Sequence, residues 1–165
     1  VVPQYVQKIR VPVRLARIGA PPLAGLVSLC PRAELHDGPE TLLECLNASP
    51  RILPFQLADG NAVLLVSRSH IEWAEPDATM DPRLVRPAPY LATREELVRV
   101  RLAGGETLEG IISMEMPDQF NRPSDYLNGD EAFFPLTMPL GTRLLNKARV
   151  LDVLVRVAGP LPKAA

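Results

Sequence analysis

Four residues in the first half of the chain have the chemistry of a metal site: Cys30, His36, Cys45 and His70. Thiolate sulfur and imidazole nitrogen are the ligands that close a tetrahedral zinc centre. Their spacing fits no zinc-knuckle pattern, however, and residues 81–165 contain neither cysteine nor histidine. Buried free cysteines are the better reading, because a thiol packs as a small hydrophobe, and no metal is expected. A cysteine nucleophile with His36 or His70 as its base would need a third group to orient that base, and the spacing supplies none. Asp118, Asp125, Asp130 and Glu131 cluster around turns, where such residues cap and solvate. No G-x-S-x-G, P-loop or G-x-G-x-x-G string occurs. The expectation is therefore a protein with no catalytic residues and no cofactor.

The elements that would position these residues are legible through repetition, which decides the architecture. Val11-Pro12-Val13-Arg14-Leu15 matches Val98-Arg99-Val100-Arg101-Leu102, each followed by a turn and then Leu-x-Gly at Leu23–Gly25 and Leu108–Gly110. On this alignment the first turn is two residues longer. Leu46-Asn47 through Pro54-Phe55 matches Leu127-Asn128 through Pro135-Leu136, and Leu64 through Ile71 matches Arg143 through Val150. Three colinear blocks imply an internal duplication, with modules at 1–75 and 93–165 and a proline-rich linker at 76–92.

Within each module the alternation of Val98, Val100 and Leu102 with arginines predicts a half-buried strand. Gly104-Gly105 predicts a tight hairpin, and Gly110 a bend or bulge. Leu42, Leu43 and Leu46 at helical spacing predict a short helix, with a counterpart at Pro123–Leu127. Asn47 and Asn128 read as left-handed C-caps. Thr93-Arg94-Glu95-Glu96 fits a capping box and predicts a further short helix leading into the second module. The fold class is all-β with short helices, as two tandem five-stranded small barrels.

The second module resembles the Sm-like barrels of the Sm, LSm and Hfq family. The resemblance is carried by the alternating Val98–Leu102, Gly104-Gly105, Leu108-Glu109-Gly110 and the turn Leu144-Leu145-Asn146-Lys147-Ala148-Arg149-Val150. An SH3-like barrel would show the same signals. The stretch from Met116 to Phe134 departs from the family pattern. The resemblance implies barrels that pair through their edge strands, and RNA contacts through Asn146, Lys147 and Arg149.

Composition weighs against that RNA reading. The chain has 165 residues, 47% hydrophobic, 22% charged and 5% aromatic, with a formal net charge of −1. Residues 1–80 hold 7 basic and 8 acidic groups and residues 81–165 hold 11 of each, so there is no basic excess for a phosphate backbone and few rings for base stacking. No apolar run reaches membrane-spanning length. The basic residues are almost all Arg, which with abundant Ala and Pro suits a GC-rich genome. The leading expectation is a non-enzymatic protein–protein interaction or scaffold module of a bacterial cytoplasmic assembly; RNA binding is the alternative. A protein partner would dock on Asp125, Tyr126, Leu127, Asn128, Phe133 and Phe134, or on the edge strands, through self-association or another protein.

Overall fold

Alternating apolar residues drive about half of the described residues into strands. A computed structural model describes residues 7–89, 94–115, 122–156 and 161–163. Ten strands form the fold: β1 (Ile9–Arg17), β2 (Leu23–Leu29), β3 (Ile52–Leu57), β4 (Val63–Ser67), β5 (Ile71–Pro76), β6 (Arg94–Leu102), β7 (Thr107–Met114), β8 (Phe133–Met138), β9 (Gly141–Asn146) and β10 (Val150–Val155). Among the described residues the two α-helices are α1 (Leu42–Asn47) and α2 (Pro123–Leu127). A single 3-10 turn links β4 to β5 at Arg68–His70 and β9 to β10 at Lys147–Arg149.

The strands make one antiparallel sheet in the order β10-β6-β7-β8-β9-β5-β1-β2-β3-β4. The order of the first five, β5-β1-β2-β3-β4, recurs in the second five as β10-β6-β7-β8-β9. The expected barrels do not stand as two separate closed units: β5 pairs with β9, and among the described residues the combined sheet is open at β10 and β4. Alternation along β1 and β6 places Val11, Val13, Leu15, Val98, Val100 and Leu102 in the interior, each at most 3% exposed.

Equivalent strands pair in the same register. Val13 faces Gly25 and Leu15 faces Leu23; Val98 faces Gly110 and Val100 faces Leu108. The two hairpins are thus equal in length, and the two-residue-longer first turn expected from the V-x-V-R-L strings is not present. Those strings sit two residues out of step, which preserves the face each side chain occupies because the strand period is two. Gly25 and Gly110 hold equivalent places for a steric reason. A Cβ on Gly110 would lie 2.6 Å from the Thr137 carbonyl oxygen, and one on Gly25 would collide with the Gln56 carbonyl oxygen and the Phe55 ring. β3 and β8 cross that close because the second strand of each hairpin has no side chain at this point.

Pro54 and Pro135 precede the short contact that β3 makes with β2, Gly25 to Leu57 and Leu26 to Gln56, and β8 with β7, Ile111 to Thr137. At the prolines each strand has a ladder neighbour on one side only, so a missing N–H is tolerated.

α1 forms because Thr41 and Glu44 close a capping box: the Glu44 amide donates to Thr41 Oγ1 at 3.3 Å and the Thr41 amide to Glu44 Oε1 at 3.0 Å. Its face Leu42, Cys45 and Leu46 is buried. The expected helix at Thr93–Glu96 does not form. Thr93 lies outside the described residues, and Arg94 to Glu96 belong to β6, paired with Ile112 to Met114. Asn128 caps α2 with φ −82°, and Asn47 is the last residue of α1, ahead of its cap Ala48. No non-glycine residue among those described has a positive φ, so neither asparagine is a left-handed cap. The segment after β5 is no free spacer: Met80 is 8% exposed, Leu84 and Val85 pack on the first core, and the Leu43 amide donates to the Val85 carbonyl at 2.9 Å.

Candidate interaction surfaces

The joint between the halves shows what kind of contact this sheet makes at its edges. In the ladder Trp73 faces Leu145 and Ala74 faces Leu144. The side chains of each half cross into the other's core. Phe133 and Leu144 belong to the cluster built on the first half, and Ala16 and Trp73 to the cluster built on the second. The Arg143 guanidinium stacks 4.1 Å from the Trp73 ring centroid and bridges Glu75 and Glu106 at 2.7 Å each. Trp73 Nε1 donates to Glu106 Oε2 at 3.0 Å, which satisfies the indole as it is buried. At the end of α1 the Asn47 side chain clasps β8: its Oδ1 accepts from the Phe133 amide at 2.7 Å, and its Nδ2 donates to the Phe133 carbonyl at 3.4 Å and to Glu131 at 3.1 Å.

Of the three residues assigned to RNA by resemblance, Asn146 and Arg149 bond the first half and Lys147 bonds within the second. Asn146, 3% exposed, donates from Nδ2 to the Ile71 carbonyl at 2.9 Å and accepts from the Ala148 amide at 3.0 Å. Arg149 Nε donates to the Ser69 carbonyl at 3.0 Å. Lys147 Nζ donates to the Gly129 carbonyl at 3.1 Å and lies 5.8 Å from the Tyr126 ring centroid; burial holds its pKa below the ordinary lysine value.

α2 packs over the second core. Tyr126 meets Phe134 edge to face, centroids 6.5 Å apart at 89°, and burial pushes the Tyr126 hydroxyl pKa up to about 12. Asp125, Tyr126 and Leu127 are half-buried and Asn128 is exposed. Phe133 and Phe134 are 2% and 1% exposed, so both are interior side chains and the surface at this end is α2 alone. The paired phenylalanines read as a docking feature in the sequence because nothing local tells that β8 lies between two strands.

The thiol and imidazole groups do not converge. Cys45 is in the first core, Cys30 is half-buried and His70 exposed. His36 Nε2 bonds Glu44 Oε1 at 2.8 Å, which raises the imidazole pKa. Among the described residues no three His, Cys, Asp or Glu side chains are placed to hold a metal ion. Burial lifts the Cys45 thiol to about pKa 11, far from the thiolate that reacts. In a native thiol titration at pH 8, Cys30 is expected to label and Cys45 to stay protected until denaturant is added. Equal native labelling of both would contradict this placement.

The open strands, expected as docking edges, also carry exposed apolar side chains that were not among the expected contact residues. On and beside β4, Val63 is 58% exposed, Leu65 66% and Ile52 42%; on β10, Leu151 is 65% and Leu154 40%. The available signal was the match between sequence blocks, which aligns Ile52 and Leu65 with Phe133 and Leu144, both buried. Compared with known proteins, the chain matches no family model, no curated protein and no solved structure.

Proposed function

We propose that the chain is a non-enzymatic protein–protein interaction or scaffold module, built of two copies of one small Sm-like unit and working in a bacterial cytoplasmic assembly. One observation carries this reading: among the described residues both ends of the sheet are open strands, and both bear large exposed apolar side chains. An unpaired strand offers backbone donors and acceptors to another chain, and side chains at alternate positions select the partner. Charges, prolines or a covering helix usually blunt such edges, so an apolar edge favours a binding role. RNA binding has less support, because the polar groups of Asn146, Lys147 and Arg149 go to the chain's own carbonyls. Among the described residues no helix is long and apolar enough to cross a membrane.

The reading is tested by capture from the native host with wild-type chain and with Leu65→Arg and Leu154→Arg. These side chains are exposed, so both variants should keep the wild-type unfolding midpoint. The expected result is a defined protein retained by the wild type and lost with an edge variant. Retention of nucleic acid alone, or no stable protein partner and no self-association, would contradict the reading.

A further inference from the structure

We propose that the partner at these edges is a second copy of this chain, with β10 of one copy pairing antiparallel with β4 of the next in the register of the internal β5–β9 joint. This rests on the interaction reading above and names its partner. The internal joint is made by the fifth strand of one half and the fourth strand of the other. The strands left open are the fifth strand of the second half and the fourth strand of the first. They are the same two kinds of edge, one at each end. Carried over from Ala74 opposite Leu144, the register sets Val153 opposite Leu65 of the next copy.

Two further parts of the internal joint have unused counterparts at the open ends. Phe133 and Leu144 are 2% and 0% exposed because they enter the neighbouring half's core, while their counterparts Ile52 and Leu65 are 42% and 66% exposed. A second copy would bury both against Tyr126, Leu127 and Val153, all only part-buried in the chain alone. Asn47 clasps the start of β8 with two hydrogen bonds to the Phe133 backbone and a third to Glu131 just before it. Its counterpart Asn128 is exposed at the end of α2, in place to clasp the backbone at Ile52 of the next copy.

One part differs. Where the internal joint has Ala16 and Trp73, the β10 end has Arg101 and Asp152, paired with each other. Covering that ion pair costs desolvation, and no indole stacks there. The copy-to-copy joint is therefore weaker than the internal one and reversible. Because it joins two different surfaces, it is head-to-tail and builds rings or open chains, not a twofold dimer.

The test uses the full chain with Cys30→Ala and Cys45→Ala, so that added thiols are the only ones. One preparation carries Leu65→Cys and another Val153→Cys, and equal amounts are mixed under mild oxidation. Directly opposed residues of adjacent antiparallel strands have Cα atoms about 4.5–5.5 Å apart, within disulfide reach. The mixed 65–153 cross-link is expected to dominate, against the half share that random collision gives, and Leu65→Arg in the Val153→Cys chain should leave it unchanged while Ile52→Arg in the Leu65→Cys chain abolishes it. Sedimentation of the cysteine-free chain should show mass rising with concentration, lost on Leu65→Arg. Predominant 65–65 or 153–153 cross-links, or no cross-link and a monomer at all concentrations, would overturn the proposal. If such a monomer still captures another protein through Leu65 or Leu154, only the identity of the partner falls; if it captures none, the interaction reading falls with it.

Discussion

Phe133→Ala is expected to lower the stability of the whole chain by about 3–5 kcal/mol, the range for truncating a fully buried phenylalanine. The ring starts on β8 in the second half and ends in the core of the first, so its loss opens a cavity at the joint. The amide that Asn47 holds at 2.7 Å stays in place, and the loss is therefore one of packing. Urea unfolding followed by tryptophan fluorescence measures it well, because the only tryptophan, Trp73, lies in the joint. Leu140→Ala is the control: Leu140 is fully exposed and its truncation should leave the midpoint within about 0.5 kcal/mol. A Phe133→Ala midpoint equally close to wild type would mean that the two halves do not share a core.

Gly110→Ala should cost about 1–3 kcal/mol, the usual range for an added methyl group in a packed site, although alanine is otherwise the milder strand residue. The new Cβ would stand 2.6 Å from the Thr137 carbonyl oxygen and 2.8 Å from Leu136 Cγ. One of these is backbone, so β8 itself must move. Gly25→Ala should behave alike. Gly104→Ala is the contrast, since its nearest neighbour is the carboxylate of Glu72, the free end of a side chain that can swing aside. Equal effects at Gly104 and Gly110, measured by thermal unfolding, would contradict the close strand crossing.

Much of the strand pattern was legible because alternation is a local property. Val98, Val100 and Leu102 announce both a strand and its buried face, and Gly105, with φ +100°, turns the hairpin as expected. Helix starts were less legible. Thr-x-x-Glu occurs at Thr41–Glu44 and at Thr93–Glu96, yet only the first caps a helix. What separates them is the sequence that follows: Leu42, Cys45 and Leu46 recur at helical spacing, whereas Val98, Val100 and Leu102 recur at spacing two. The capping signal supplies a fraction of the stabilisation that pairing all of β6 with β7 provides.

The candidate surface was less legible still. That β5 meets β9 depends on contacts about 70 residues apart in sequence, such as Trp73 with Leu145. Alternation gives a residue's face and not its neighbour. Phe133 and Phe134 therefore read as surface when they are core, and Asn47 as a helix cap when it is a clasp. Ile52 and Leu65 gain their meaning only beside Phe133 and Leu144.

The central claim is that this sheet joins edge to edge once inside the chain and offers the same two edges outside it. Amide hydrogen exchange, read peptide by peptide in dilute and in concentrated solution, tests it most directly. The account predicts that β5 and β9 are protected in both, and that the outward amides of β4 and β10, those not bonded to β3 and β6, exchange freely when dilute and gain protection together when concentrated. Rapid exchange across β5 and β9, or outward amides of β4 and β10 that stay unprotected at every concentration and with every captured protein, would contradict it.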